Sequence, residues 1–411
     1  MRFRLGRFAA VCSCVLLLSG PAVAQRTGER ERGSDHPSVA APLYMAQRSH
    51  SRNLERGGKG APPSDEWKAL LQEASNLFFE GKFDSGVVVA KKALEMAERE
   101  RGPEHPSVAA SLNRLAEFYR AQGQFAAAEP LYTRSLAIRE NARKPDQPGL
   151  GQALHNLAQL YVAQGRYAAA EPLLKRALEI RQKAHGDEHP DVASTLNGLA
   201  DLYREQGKPA EAEALFKRSL AIREKFMASD QSREASSVNK AASSVNQLAF
   251  SLNGLAAIYR AQGKYDEAES LYKRAIALID DTRDRDHPLM ARALSGLASL
   301  YLRKGEHSGA EVLFKRSIAI LENSLDRDHP RMAAALQGLA DVYAAQGKYA
   351  AAEALLKRAL EIRVAALGEA HSLVAATLEK LSAVYASQEK SAEAKQSADR
   401  AAASRASATR K

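Results

Sequence analysis

The chain has 411 residues, 45% of them hydrophobic but only 6% aromatic, a composition that suits long helices packed through Ala and Leu. Its formal charge is +10, and both cysteines, Cys12 and Cys14, fall within the first 24 residues. Processing after Ala24 would remove Arg2, Arg4 and Arg7, lower the charge from +10 to +7 and leave no thiol, which excludes disulfides, thiolate metal sites and cysteine nucleophiles together.

Residues 1–24 read as a secretory signal: a basic start, an apolar run from Phe8 to Leu18, and Ala22-Val23-Ala24 before Gln25. The apolar run is too short to span a bilayer, so no transmembrane segment is expected after cleavage. The rival is a lipoprotein anchored through Cys12 or Cys14; it would leave Val15 to Leu18 on the mature chain and shorten the apolar core. The expected location is periplasmic or extracellular. Residues 25–63, rich in Arg, Ser, Gly and Pro without an apolar period, read as a disordered leader.

From Ser64 the chain repeats. Turn glycines stand at Gly81, Gly123, Gly165, Gly207, Gly263, Gly305 and Gly347, spaced 42 residues apart except for one interval of 56. A period of this length marks a solenoid of helical hairpins. The first helix of a unit opens at His-Pro (His105, His189, His287 and His329), with apolar positions at helical spacing, as in Val108, Leu112, Leu115, Ala116 and Tyr119. The turn glycine ends it and a second helix follows, giving eight hairpins with the first and last degenerate. Small residues face each other in two columns, one from Ala116 to Ala340 and one from Ala128 to Ala394. The tyrosine column from Tyr119 to Tyr385 offers an aromatic ladder for stacking ligands, but its helical phase makes it core.

Leu-Asn-x-Leu-Ala-x-x-Tyr followed by Gln-Gly-x-Tyr-x-x-Ala-Glu-x-Leu-x-Lys-Arg-Ala-Leu resembles the tetratricopeptide repeat, and the 42-residue form with its His-Pro opening resembles the repeats of kinesin light chains and their bacterial relatives. The resemblance covers Ser64 to Arg400 and implies an all-α, right-handed α-solenoid of about eight antiparallel helix pairs, whose first helices line a concave groove that holds peptides. It implies blocks at 64–225 and 247–400, separated by an insertion at 226–246 and followed by a disordered basic tail at 401–411.

Groove-facing positions run in columns. The first holds Asn113, His155, Asn197 and Asn253, a carboxamide position that in the family resembles a clamp on a peptide backbone. The next hold Glu117, Gln159 and Asp201, then Arg120, Arg204 and Arg260. With Asn156 beside His155, these residues of the N-terminal half are the expected ligand contacts.

Other signals read as structural. Lys175, Lys217, Lys273, Lys315 and Lys357 each follow a glutamate by four residues, a favourable helical pairing, which leaves Arg176, Arg218, Arg274, Arg316 and Arg358 as an apparent surplus on the outer face. Repetition of histidine at helix starts points to helix initiation, and the Gly-Asp-Glu loop between His185 and His189 argues against helical i,i+4 geometry for that pair. No catalytic or phosphate-loop motif occurs, so no enzyme, cofactor, metal or nucleic-acid partner is expected. In the insertion, a duplicated Ala-Ser-Ser-Val-Asn run predicts an extended helix leading into Leu248 after a break near Ser229 to Ser232; a flexible hinge is the alternative. The reading is an exported protein- or peptide-binding scaffold in an envelope or extracellular assembly. Its alternative is a structural spacer, or a binder of acidic envelope polymers through the outer arginines.

Overall fold

A computed structural model describes residues 65–142, 146–229, 238–281, 287–325 and 328–408. The expected signal, leader and last three tail residues, and most of the predicted break at 229–232, lie outside them. The described residues form sixteen helices and no strand, arranged as eight antiparallel pairs. In chain order these are α1 (Asp65–Phe79) with α2 (Phe83–Arg101), α3 (Pro106–Ala121) with α4 (Phe125–Glu140), α5 (Gln147–Ala163) with α6 (Tyr167–His185), and α7 (Pro190–Glu205) with α8 (Pro209–Ala228). Then follow α9 (Val238–Ala261) with α10 (Tyr265–Asp281), α11 (Pro288–Arg303) with α12 (His307–Ser324), α13 (Pro330–Ala345) with α14 (Tyr349–Leu367), and α15 (Ser372–Ser387) with α16 (Ser391–Ala408).

The starts of most first helices are fixed by a side-chain hydrogen bond, which the second helices with a described N-cap lack. His105, His189, His287, His329 and His371 are N-caps whose Nδ1 accepts the backbone N–H two residues on, at 3.1–3.2 Å. An N-cap acceptor satisfies one of the four N–H groups that a helix start leaves unpaired. Where the histidine is missing, Asp146 takes over, its Oδ1 accepting from Gly149 N at 3.2 Å. Helix ends need the opposite device, a residue at positive φ, which the repeated glycines supply. The last hairpin keeps that turn without glycine: Glu389 adopts φ 59.

Packing follows the small columns. Ala116, Ala158, Ala200, Ala256 and Ala298 are 0% exposed, as are Ala128, Ala170, Ala212, Ala268 and Ala310 opposite them. A second close contact joins one hairpin to the next. A Cβ at Gly254 would lie 2.3 Å from the Phe216 ring, at Gly296 2.3 Å from Tyr272, and at Gly338 2.2 Å from Phe314. Only glycine admits these buried rings. Serine hydroxyls tie the helices further, Ser135, Ser219 and Ser317 donating to the carbonyls of Ala109, Ala193 and Ala291 at 2.7–2.9 Å. The tyrosine column packs at the margin of these cores, with Lys208, Lys264 and Lys348 about its outer faces at 5.1–5.3 Å from the ring centroids.

One boundary differs from expectation and one agrees with the extended-helix reading of the insertion. The C-terminal tail is helical through Ala408, because Ala401 is buried and the Ser404 hydroxyl donates to the carbonyl of Glu369 at 2.5 Å. In the insertion, α9 is 24 residues long and begins at Val238, ten residues before Leu248. Its C-terminal part packs on α7 and α8, with Leu255 and Ile258 against Phe216. Limited proteolysis is therefore expected to cut slowly between residues 238 and 246; rapid cutting there marks a hinge.

The solenoid also meets itself. A Cβ at Gly123 would sit 2.5 Å from Cδ of Pro330, and one at Gly165 2.9 Å from Nε2 of His371. The turns of the second and third hairpins thus abut the starts of α13 and α15, and the concave face becomes an enclosed groove.

Candidate ligand-binding groove

At its N-terminal end the groove carries a polar ladder. Asn113 Nδ2 donates to Glu117 Oε1 at 3.0 Å, and Asn156 Nδ2 donates to Asn113 Oδ1 and Glu117 Oε1 at 3.1 and 2.8 Å. Gln152 donates to Asn156 at 2.8 Å and accepts from Arg181 at 2.6 Å. Asn156 can do this because it stands 42 residues before Gly198, in the column that later hairpins fill with glycine. Gln159 and His155 lie beside Gly198, whose absent side chain leaves room for them.

Two asparagines expected to line the open groove are enclosed instead. Asn197, 3% exposed, exchanges hydrogen bonds with the Ser251 hydroxyl at 2.9 and 3.1 Å. The long α9 stacks directly on α7 and brings that serine in. Asn253, 2% exposed, has no hydrogen-bond partner at Nδ2 or Oδ1 among the described residues. A buried carboxamide without partners costs roughly 1–3 kcal/mol.

Cations dominate the centre. Asp201 accepts from Arg204 at 3.1 Å and, across the groove, from Arg292 on α11 at 3.3 Å. Burial acts to raise the Asp201 pKa, but Arg292 and Arg204 outweigh it and hold the carboxyl below its ordinary value. Arg260 lies against the Tyr272 hydroxyl, and Arg120 against that of Tyr132; burial pushes both phenols up. Arg331, reached by solvent yet surrounded by protein, forms no ion pair with any described acid. Burial, and then the charges of Arg120 and Arg292, bring its pKa down to about 10. Near His155, Arg181 and Arg223 hydrogen-bond to neutral groups, Thr195 and Ser194, both at 2.8 Å. Burial, followed by Arg181, Arg120 and Arg223, keeps His155 neutral.

Arg292 and Arg331 were not visible as site residues in the sequence. Neither stands in a groove column of the N-terminal half; both join it only because the solenoid closes. The outer arginines, by contrast, are not surplus. Arg176 pairs with Glu140, Arg218 with Asp187, Arg274 with Glu224, Arg316 with Asp280 and Arg358 with Glu322, at 2.5–3.8 Å. Each acid comes from the preceding hairpin or the loop beside it, so the outer stripe is neutralised and the uncompensated charge faces inward.

Eight stacked helix pairs around a continuous groove define an α-solenoid of the repeat type. Tetratricopeptide repeat matches cover residues 68–141, 107–183, 149–225, 247–323, 310–363 and 331–407, and the chain belongs to the tetratricopeptide repeat family. Such repeats make a protein–protein interaction scaffold. Nephrocystin-3 of Xenopus laevis is 32% identical over 100 residues, 24% of this chain and 8% of that protein, so the chain spans under a tenth of this curated relative. A putative kinesin light chain from Podosopora anserina with nearly identical TPR-like repeats is 27% identical, covering 53% of this chain and 97% of that one, with a TM-score of 0.37. Apo RapI is 12% identical, with coverage of 74% and 99% and a TM-score of 0.50.

Proposed function

We propose that this chain is an exported scaffold that holds a protein or peptide segment in its enclosed groove. Export is supported by the signal-like residues 1–24. The observation that carries the ligand reading is Arg331 at the closure of the groove, a solvent-exposed cation that pairs with no described acid and stands near Arg120 and Arg292. Carboxylates on the ligand would pair with this cation. The polymer-binding alternative is disfavoured by the pairing of the outer arginines.

Crosslinking and affinity capture from the native envelope test this. The double variant Arg120→Glu/Arg331→Glu is expected to lose the captured partner, with helix content by circular dichroism unchanged. Retention of the same partner by that variant refutes the groove assignment. Amino-terminal sequencing of the processed chain is expected to begin at Gln25.

A further inference from the structure

The junction between α6 and α7 differs from the other capped junctions. His185 is the last residue of α6 and His189 is the N-cap of α7; the Gly186 turn, at φ 84, folds the intervening loop so that the two imidazoles stack at 4.3 Å and 19°. Asp191, in the first turn of α7, projects beside them. Its Oδ2 lies 3.8 Å from His185 Nε2 and 3.6 Å from His189 Nδ1. The three donor atoms all fall within 4.8 Å of one another, and among the described residues no other group of this kind does. Four residues before the other capping histidines stand Arg101, Leu325 and Leu367 at the described junctions, so the second imidazole belongs to this hairpin alone.

We propose that His185, His189 and Asp191 form a three-donor site for a divalent cation that prefers imidazole ligands, with zinc as its reference ion. Tetrahedral zinc with bonds of about 2.05 Å sets its donors about 3.3 Å apart, near the observed separations, but the stacked rings point their lone pairs side by side, so binding requires one imidazole to turn out of the stack. Two imidazoles and one carboxylate leave the fourth position to water. Magnesium and calcium, which take oxygen donors, do not match the set. The ion would take the His189 lone pair that now accepts Asp191 N–H at 3.1 Å, exchanging a cap for a covalent tie between consecutive hairpins. Such a tie sets the angle at which the third hairpin passes to the fourth, at the middle of the groove.

Isothermal titration of the full-length chain with zinc chloride, in a non-coordinating buffer at neutral pH, is expected to show a one-equivalent site. His185→Ala and Asp191→Asn should each weaken it by at least about tenfold, the scale of losing one well-placed ligand interaction. Imidazole resonances of His185 and His189 should shift with zinc while those of His287 and His329 stay, and magnesium chloride should give a flat titration. His185 is solvent-accessible and caps no helix, so its variant should fold. Absence of zinc binding, or binding by either variant as tight as that of the unaltered chain, overturns the proposal.

Discussion

Phe216→Ala is expected to cost about 3–5 kcal/mol, the usual range for emptying a fully buried phenylalanine site. The ring is 0% exposed and lies in the cluster that joins α7 and α8 to α9 and α10 across the longest repeat interval. Its neighbour makes the mechanism testable. Gly254→Ala places a Cβ 2.3 Å from the ring's Cε1 and Cζ, so backbone or ring must move. Overpacking of this kind costs about 1–3 kcal/mol, against which alanine's helix preference over glycine returns roughly 1 kcal/mol. The two positions must therefore couple. In a Phe216→Leu background Gly254→Ala should become neutral or stabilising, because the equivalent Leu174 stands further off, 3.0 Å from a Cβ at Gly198. Urea unfolding of the four chains completes a double-mutant cycle. Additive effects would show that the ring does not require the glycine. Solenoid units contact only their neighbours along most of their length, so amide exchange should open fastest around α9 in Phe216→Ala.

That glycine column was present in the sequence at Gly198, Gly254, Gly296 and Gly338, directly after the carboxamide column. It could have been read against Phe216, Tyr272 and Phe314, which keep the same period. The outer ion pairs were legible in the same way. Arg176–Glu140, Arg316–Asp280 and Arg358–Glu322 are 36 residues apart, and Arg274–Glu224 is 50 apart, the same offset lengthened by the 14-residue insertion. A helical pattern read only within one hairpin misses them, because the partner sits one repeat back. What no local pattern carries is the closure of the groove. Gly123 meets Pro330 some two hundred residues away through small rotations accumulated over successive hairpins, and Arg331 enters the site only as a result. Similarly, Asn197 reads as a groove residue until the next hairpin stacks on α7 and brings Ser251 against it.

Acidification should destabilise the fold in two separate steps. His287 and His329 each use Nδ1 to accept a backbone N–H, which a protonated ring cannot do. Burial first, and the positive charge of Arg331 next, lower both pKa values from 6.5 to about 4; for His329 the nearby Ala121 carbonyl acts weakly the other way and Arg120 adds to the lowering. A histidine whose folded pKa is depressed contributes stability that is complete above its unfolded value and is lost as pH falls through its folded value. The window is therefore pH 6.5 down to about 4, and the shift corresponds to roughly 3 kcal/mol for each residue. Glu269, Glu311 and Glu353 act lower. Hydrogen bonds from Lys273 and Lys304, from Lys315 and Gln346, and from Lys357 and Lys390 hold them at about 2, so their contribution is present above 4.5 and fades only below it. Urea midpoints measured from pH 7.5 to 4.5 should fall steeply for the native chain. His287→Asn/His329→Asn keeps an N-cap acceptor that does not titrate, and its midpoint should fall less over the same range, the remaining fall coming from His155 and the other capping histidines. An equally steep fall in that variant would assign the acid sensitivity to groups other than these two caps, His155 first among them.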